Sequence, residues 1–214
     1  ANALYHKWLE IARKNVKSGS YFEFNHNMKQ IIKEFDTLET IDFGQKPRVG
    51  VVGEILVKYA PTANNDIVAI IENEGGEAVV PDLIGFMNYS LFNQIWKADE
   101  LNMSQKSKRL AKLGIDAINL LEKPMNKALE KSERFEGIES IYDIAKGAAK
   151  VVSIGNHTGE GWFLTGEMIE LLNNGVKNIV CLQPFGCLPN HIVGKGMLKE
   201  LRRQFKGANI SPID

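Results

Sequence analysis

The chain predicts an α/β fold: an open, mostly parallel sheet of about four strands with helices on both faces. Three observations predict it. Short, continuously apolar runs at residues 48–54 and 178–183 suit strands buried on both faces of a parallel sheet. Helical periodicity fills the chain between them. Glycine, proline and asparagine mark the points where one period gives way to the other.

Taken in order, Leu4, Trp8, Ile11, Ala12 and Val16 recur at helical spacing, as do Phe24, Met28, Ile31, Phe35 and Leu38, and Gly19 separates the two helices. Residues 1–45 therefore form a helical extension expected to pack on the core. The first strand, Arg48-Val-Gly-Val-Val-Gly-Glu54, leads into the loop Ala60-Pro-Thr-Ala-Asn-Asn65. Asn64 or Asn65 can cap a helix carrying Ile67, Ile70 and Ile71. Gly75-Gly76 stops that helix, and Glu77-Ala-Val-Val-Pro81 is the second strand of a right-handed βαβ unit. From Asp82 to about Lys150 the pattern is mainly helical, with breaks near 99–104, 123–124 and 134–137, and is too long for one crossover helix. Residues 46–214 thus read as an α/β lobe of Rossmann- or flavodoxin-like type with a multi-helix insertion at about 82–150. A helix over 160–174 precedes the third strand at 178–183. Another over 196–205 precedes a fourth at 209–214, where Pro212 favours a sheet edge.

With Lys+Arg and Asp+Glu both at 26, the formal net charge is zero. That removes the electrostatic case for nucleic acid and offers no polybasic handle for a membrane. No apolar run reaches the roughly 18–20 residues needed to cross a bilayer, and no secretory leader is recognisable at the start. The chain has two cysteines, both in one segment, which points to a reducing cytoplasm rather than a disulfide framework.

In a parallel sheet, ligands collect at the carboxyl ends of the strands. Val52-Gly-Glu54, Val80-Pro-Asp82, residues 183–195 and the tail after Ile213 share that address, joined by the loop 157–162. The densest candidate is Gln183-Pro-Phe-Gly-Cys-Leu-Pro-Asn-His191. Its prolines and glycine hold Cys187 outside regular structure, where a thiolate can reach a metal or an electrophile. Cys181, within Ile-Val-Cys-Leu, reads as a core residue. One thiolate cannot hold a cluster, and Cys-x3-His to His191 is a weak metal signature. Gly194-Lys-Gly196 opens a helix and could hold a phosphate or carboxylate through Lys195, although no Walker or G-x-G-x-x-G pattern accompanies it. Glu54 ends the first strand and could serve a ligand or cap a helix. Glu160, in Thr158-Gly-Glu-Gly-Trp162, sits near a helix start, with Trp162 more suited to core packing than to stacking on a ligand. No catalytic acid, base or nucleophile is assigned by spacing alone.

Three blocks, Pro47-Arg-Val-Gly-Val-Val-Gly-Glu-Ile55, Gly159-Glu-Gly-Trp-Phe-Leu-Thr-Gly-Glu167, and Gln183–His191 with Gly194-Lys-Gly196, resemble the C-terminal, dehydratase-like region of large bacterial proteins related to the activators of 2-hydroxyacyl-CoA dehydratase. The resemblance runs from about Lys46 to the end. It implies an anaerobic redox system in which an ATP-hydrolysing activator delivers one electron to a component carrying a [4Fe-4S] cluster, held by cysteines of two neighbouring α/β lobes. By that analogy Cys187 is the cluster cysteine of the C-terminal lobe, with the other ligands outside this chain. ATP belongs to activator modules outside these 214 residues. The expected partners are those modules, an upstream cysteine-bearing lobe and, at Lys195, an acyl-CoA. The chain then reads as a lobe inactive by itself, without a stably assembled cluster. The alternatives are a non-catalytic domain that docks the ATPase modules, and an acyl-CoA- or phosphate-binding domain.

Overall fold

A computed structural model describes residues 1–41 and 44–214. The chain divides into two compact units, Ala1–Asp42 with Leu113–Ile138, and Phe43–Lys112 with Glu139–Asp214.

In the smaller unit, α1 (Asn2–Ser18) and α2 (Tyr21–Asp36) form a hairpin. Gly19 supplies the left-handed turn (φ 64°), and the Ser20 hydroxyl caps α2 by accepting from the Glu23 amide. Trp8 is buried, and its indole Nε1 donates to Glu34 at 3.0 Å. The Arg134 guanidinium donates to the Phe35 and Leu38 carbonyls, closing the end of α2.

The larger unit is built on four strands: β1 (Arg48–Gly53), β2 (Glu77–Val79), β3 (Asn178–Leu182) and β4 (Asn209–Ile213). Every pair is parallel, in the order β2-β1-β3-β4, so the expected open parallel sheet is present. Pro212 lies on edge strand β4, where its missing N–H costs no ladder bond to a further strand. Alternation sorts the strands' side chains to two faces. On one face Val52, Ile179, Cys181 and Ile210 pack against α9 (Trp162–Asn173) and α10 (Leu198–Gln204). On the other, Val51 and Leu182 pack against Ile67 and Ile71 of α5 (Ile67–Asn73). A Cβ at Gly50 would stand 2.6 Å from Leu171 Cδ1 of α9, so glycine lets that side chain lie close against the strand.

Several expected boundaries move. The segment read as a loop at 60–65 contains a short helix, α4 (Pro61–Asn64), which follows another, α3 (Ile55–Tyr59). Pro61 suits the first turn of α4, whose amides need no partner. The N-cap of α5 is Asp66 rather than Asn64 or Asn65, although Asn64 Oδ1 accepts from the Ile67 amide at 3.2 Å. The middle stretch contains α6 (Leu83–Glu100), α7 (Gln105–Leu129) and α8 (Ile141–Ala148). The break expected at Lys123-Pro124 is absent: α7 runs through Pro124. The bond lost there is the one to Leu120, which is exposed, so water is within reach of the freed carbonyl. The last helix starts at Leu198 rather than Gly196, after a π turn (Asn190–Gly194) and a 3-10 turn (Lys195–Met197). Among the described residues, no helix is long and apolar enough to cross a membrane.

Candidate functional site

Because all four strands run the same way, their carboxyl ends share one edge. The main chain continues the ladder one step past the strands: the Glu54 amide donates to Leu182 at 3.1 Å, and the Gln183 amide donates to Ile213 at 3.0 Å. Four of the segments expected at this edge are joined there by hydrogen bonds. They are the exit of β1, the loop before α9, the loop after β3 and the tail after β4.

Glu54 turns the chain from β1 into α3. Its carboxylate accepts from the Val57 amide at 2.8 Å, so it is the cap of the helix that follows it. Gly53 before it has φ 153°, and a Cβ there would collide with the Leu182 carbonyl, so the turn admits only glycine.

Glu160 is buried and bridges two segments. Its Oε1 accepts from the Ile55 amide at 3.4 Å and its Oε2 from Asn190 Nδ2 at 3.1 Å. The loop carrying it is fixed by Tyr89, whose hydroxyl donates to the Gly159 carbonyl at 2.9 Å. Burial pushes the Tyr89 hydroxyl up to about 12, so it stays a donor. Trp162 is fully buried in an aromatic cluster with Tyr89, Phe92 and Phe163, and its Nε1 donates to Asn93. It is a core residue and offers no face to a ligand.

Cys187 lies in the loop after β3 and is half-buried and free. Its sulfur accepts from the same Asn190 Nδ2 at 3.0 Å, and its carbonyl accepts from the His191 amide at 3.1 Å and from His191 Nδ1 at 2.8 Å. A carbonyl only accepts, so Nδ1 carries the hydrogen in this tautomer. His191 therefore holds the Cys187 backbone rather than acting as a base on its thiol. Phe185 is 93% exposed and Leu188 68%, so two apolar side chains of the loop that carries Cys187 face water. Cys181, by contrast, is completely buried in the core. Burial pushes its thiol up to about 12, with Glu167 and Asp214 adding to the effect.

Lys195 and its flanking glycines do not open a regular helix. Its ammonium pairs with Asp214 at 3.0 Å, and Gln183 Nε2 donates to the other oxygen of that carboxylate at 2.6 Å. These two donors hold the Asp214 carboxyl below its ordinary range, Lys195 contributing most. Gly194 is buried on Cys181, and Gly196 faces the His191 carbonyl.

The edge also contains an ion pair that sequence reasoning missed. Lys58 of α3 and Glu167 of α9 meet at 2.7 Å with side chains 0% and 2% exposed. Burial raises the Glu167 carboxyl, and the Lys58 ammonium pulls it back. Asn190 as the partner of Glu160 and Cys187, and Gln183 and Asp214 as partners of each other, were also missed. The sequence signal for them is faint: polar residues sitting inside or beside apolar runs, where burial forces them to find a partner.

The donor set decides what the edge can hold. Among the described residues, no group of three or more His, Cys, Asp and Glu side chains is placed to hold a metal ion. Cys187 alone fits one ligand position of a [4Fe-4S] cluster, which takes four. Comparisons of the chain with protein-family models, with curated proteins and with solved structures find no match in any of the three.

Proposed function

We propose that this chain is one lobe of a composite redox site, in which Cys187 gives a single thiolate to a [4Fe-4S] cluster. The remaining ligands come from a second, cysteine-bearing lobe, and the electron comes from an ATP-hydrolysing activator. The reading rests on the resemblance of three sequence blocks to dehydratase-activator proteins. The structural observation that supports it best is the presentation of Cys187: a free thiol at the carboxyl edge, flanked by exposed Phe185 and Leu188 and backed by the buried Asn190–Glu160 contact.

A bound cluster of this kind supplies one-electron chemistry at low potential. The residues of this chain do the rest. Cys187 binds iron, Asn190 orients the sulfur, and Glu160 fixes the Asn190 amide. Phe185 and Leu188 exclude water once another lobe covers them. In this reading the chain turns over no substrate by itself.

The test is anaerobic reconstitution of the intact parent protein with iron and sulfide. Cys187→Ala should lower bound iron and the visible absorbance of the cluster. Unchanged iron stoichiometry would sink the ligand assignment, and the exposed apolar pair would then favour a non-catalytic docking domain.

A further inference from the structure

We propose that Lys195 and Gln183 form an anion subsite at the carboxyl edge of the sheet, suited to the carboxylate or phosphate group of a small ligand and occupied by the chain's own Asp214. Lys195 Nζ lies 3.0 Å from Asp214 Oδ2, Gln183 Nε2 donates to Oδ1 at 2.6 Å, and His191 Nε2 stands 3.9 Å from the same Oδ1. Two donors are always present. Charged and neutral N–H groups converging on both oxygens of one carboxylate are what an oxyanion site requires.

The members of the subsite differ in a way that suits exchange. Gln183 is 2% exposed, so packing fixes its amide, and its Oε1 is buried without any hydrogen-bond partner. A buried amide oxygen left unpaired is unfavourable. A ligand with a hydroxyl or N–H beside its anionic group would supply the missing donor once Asp214 withdraws. Lys195 and Asp214 are partly exposed, at 42% and 39%. An exposed ion pair contributes little to stability, so an external anion can compete with Asp214. The address is where ligands of parallel sheets bind. The subsite needs no metal and does not depend on Cys187 being a ligand.

The test is a titration of the 15N-labelled chain with inorganic phosphate and, separately, with acetate, against sodium chloride at matched ionic strength. The Lys195 backbone amide and the Gln183 side-chain amide report binding. Saturable shifts are expected. Asp214→Asn, which removes the competing charge, should tighten binding by up to about fivefold, on the scale of an exposed ion pair. Lys195→Met in that background should abolish it. Both side chains are exposed, so the fold is retained, and Asp214→Ser repeats the first comparison with a smaller residue. Saturation by phosphate alone assigns a phosphate ligand, and saturation by acetate alone a carboxylate. Binding no tighter in Asp214→Asn than in the parent chain, saturation that survives Lys195→Met, or shifts reproduced by chloride would overturn the subsite. Cys187→Ala leaves this binding unchanged, which separates it from the redox reading.

Discussion

Cys181 Sγ lies 3.3 Å from where a Cβ at Gly194 would stand, so the sulfur and the π turn are already in close contact. Nothing can reach that thiol without opening the core, and burial keeps it protonated up to about pH 12. Cys187 is half-buried beside side chains that face water. Iodoacetamide should therefore label Cys187 in the folded chain and Cys181 only in denaturant. Peptide mass mapping checks this, and native labelling of Cys181 would contradict the packing. Gly194→Ala should cost about 1–3 kcal/mol, since an inserted methyl in a close-packed site forces its neighbours to shift. Urea unfolding measures the loss.

At the scale of elements, α3 and α9 are joined through charge as well as packing. Lys58 and Glu167 are sealed from water at 2.7 Å, and the Lys58 ammonium also lies 5.0 Å from the centre of the Tyr59 ring. Removing one partner leaves an unpaired buried charge or forces a proton change. Lys58→Met should thus destabilise the chain by about 3–5 kcal/mol. Replacing both, as Lys58→Met with Glu167→Leu, should recover most of that loss, because apolar groups of similar volume escape the desolvation cost. Denaturant midpoints of the two single variants and the double variant decide the matter. Additive losses would mean that the pair is not coupled.

For the whole molecule, the sheet was legible because its two central strands are short and apolar on consecutive positions. Strands β1 and β3 could be read directly, and Pro212 correctly placed β4 at an edge. Helices α3 and α4 were not legible. Ala60-Pro-Thr-Ala-Asn-Asn65 has turn composition, and the helical turns are held by contacts such as Asn64 Nδ2 to the Val57 carbonyl. The site was legible in address but not in wiring. Cys187, Glu160 and Lys195 could be singled out by type and context. The long-range pairs of the edge could not, because Lys58 and Glu167 stand 109 residues apart and Glu160 and Ile55 stand 105 apart, and no local spacing encodes such pairs. The same long-range assembly sets the pH response of the fold. Burial pushes the Glu170 carboxyl up to about 8, reinforced by Glu139, Glu167 and Asp82 and opposed by Lys58. The folded chain therefore binds a proton at neutral pH that the unfolded chain, titrating near 4.5, has released. Below about pH 4.5 both states are protonated and Glu170 imposes no penalty. As pH rises from there to about 8, the fold loses stability by up to about 1.4 kcal/mol per unit. Partial contact with water reduces the total to roughly 3 kcal/mol. Glu170→Gln should match the parent chain near pH 4 and exceed it increasingly up to pH 8, as read from urea unfolding across that range. Parallel stability curves for the two proteins would show that Glu170 ionises in the fold as it does in the open chain.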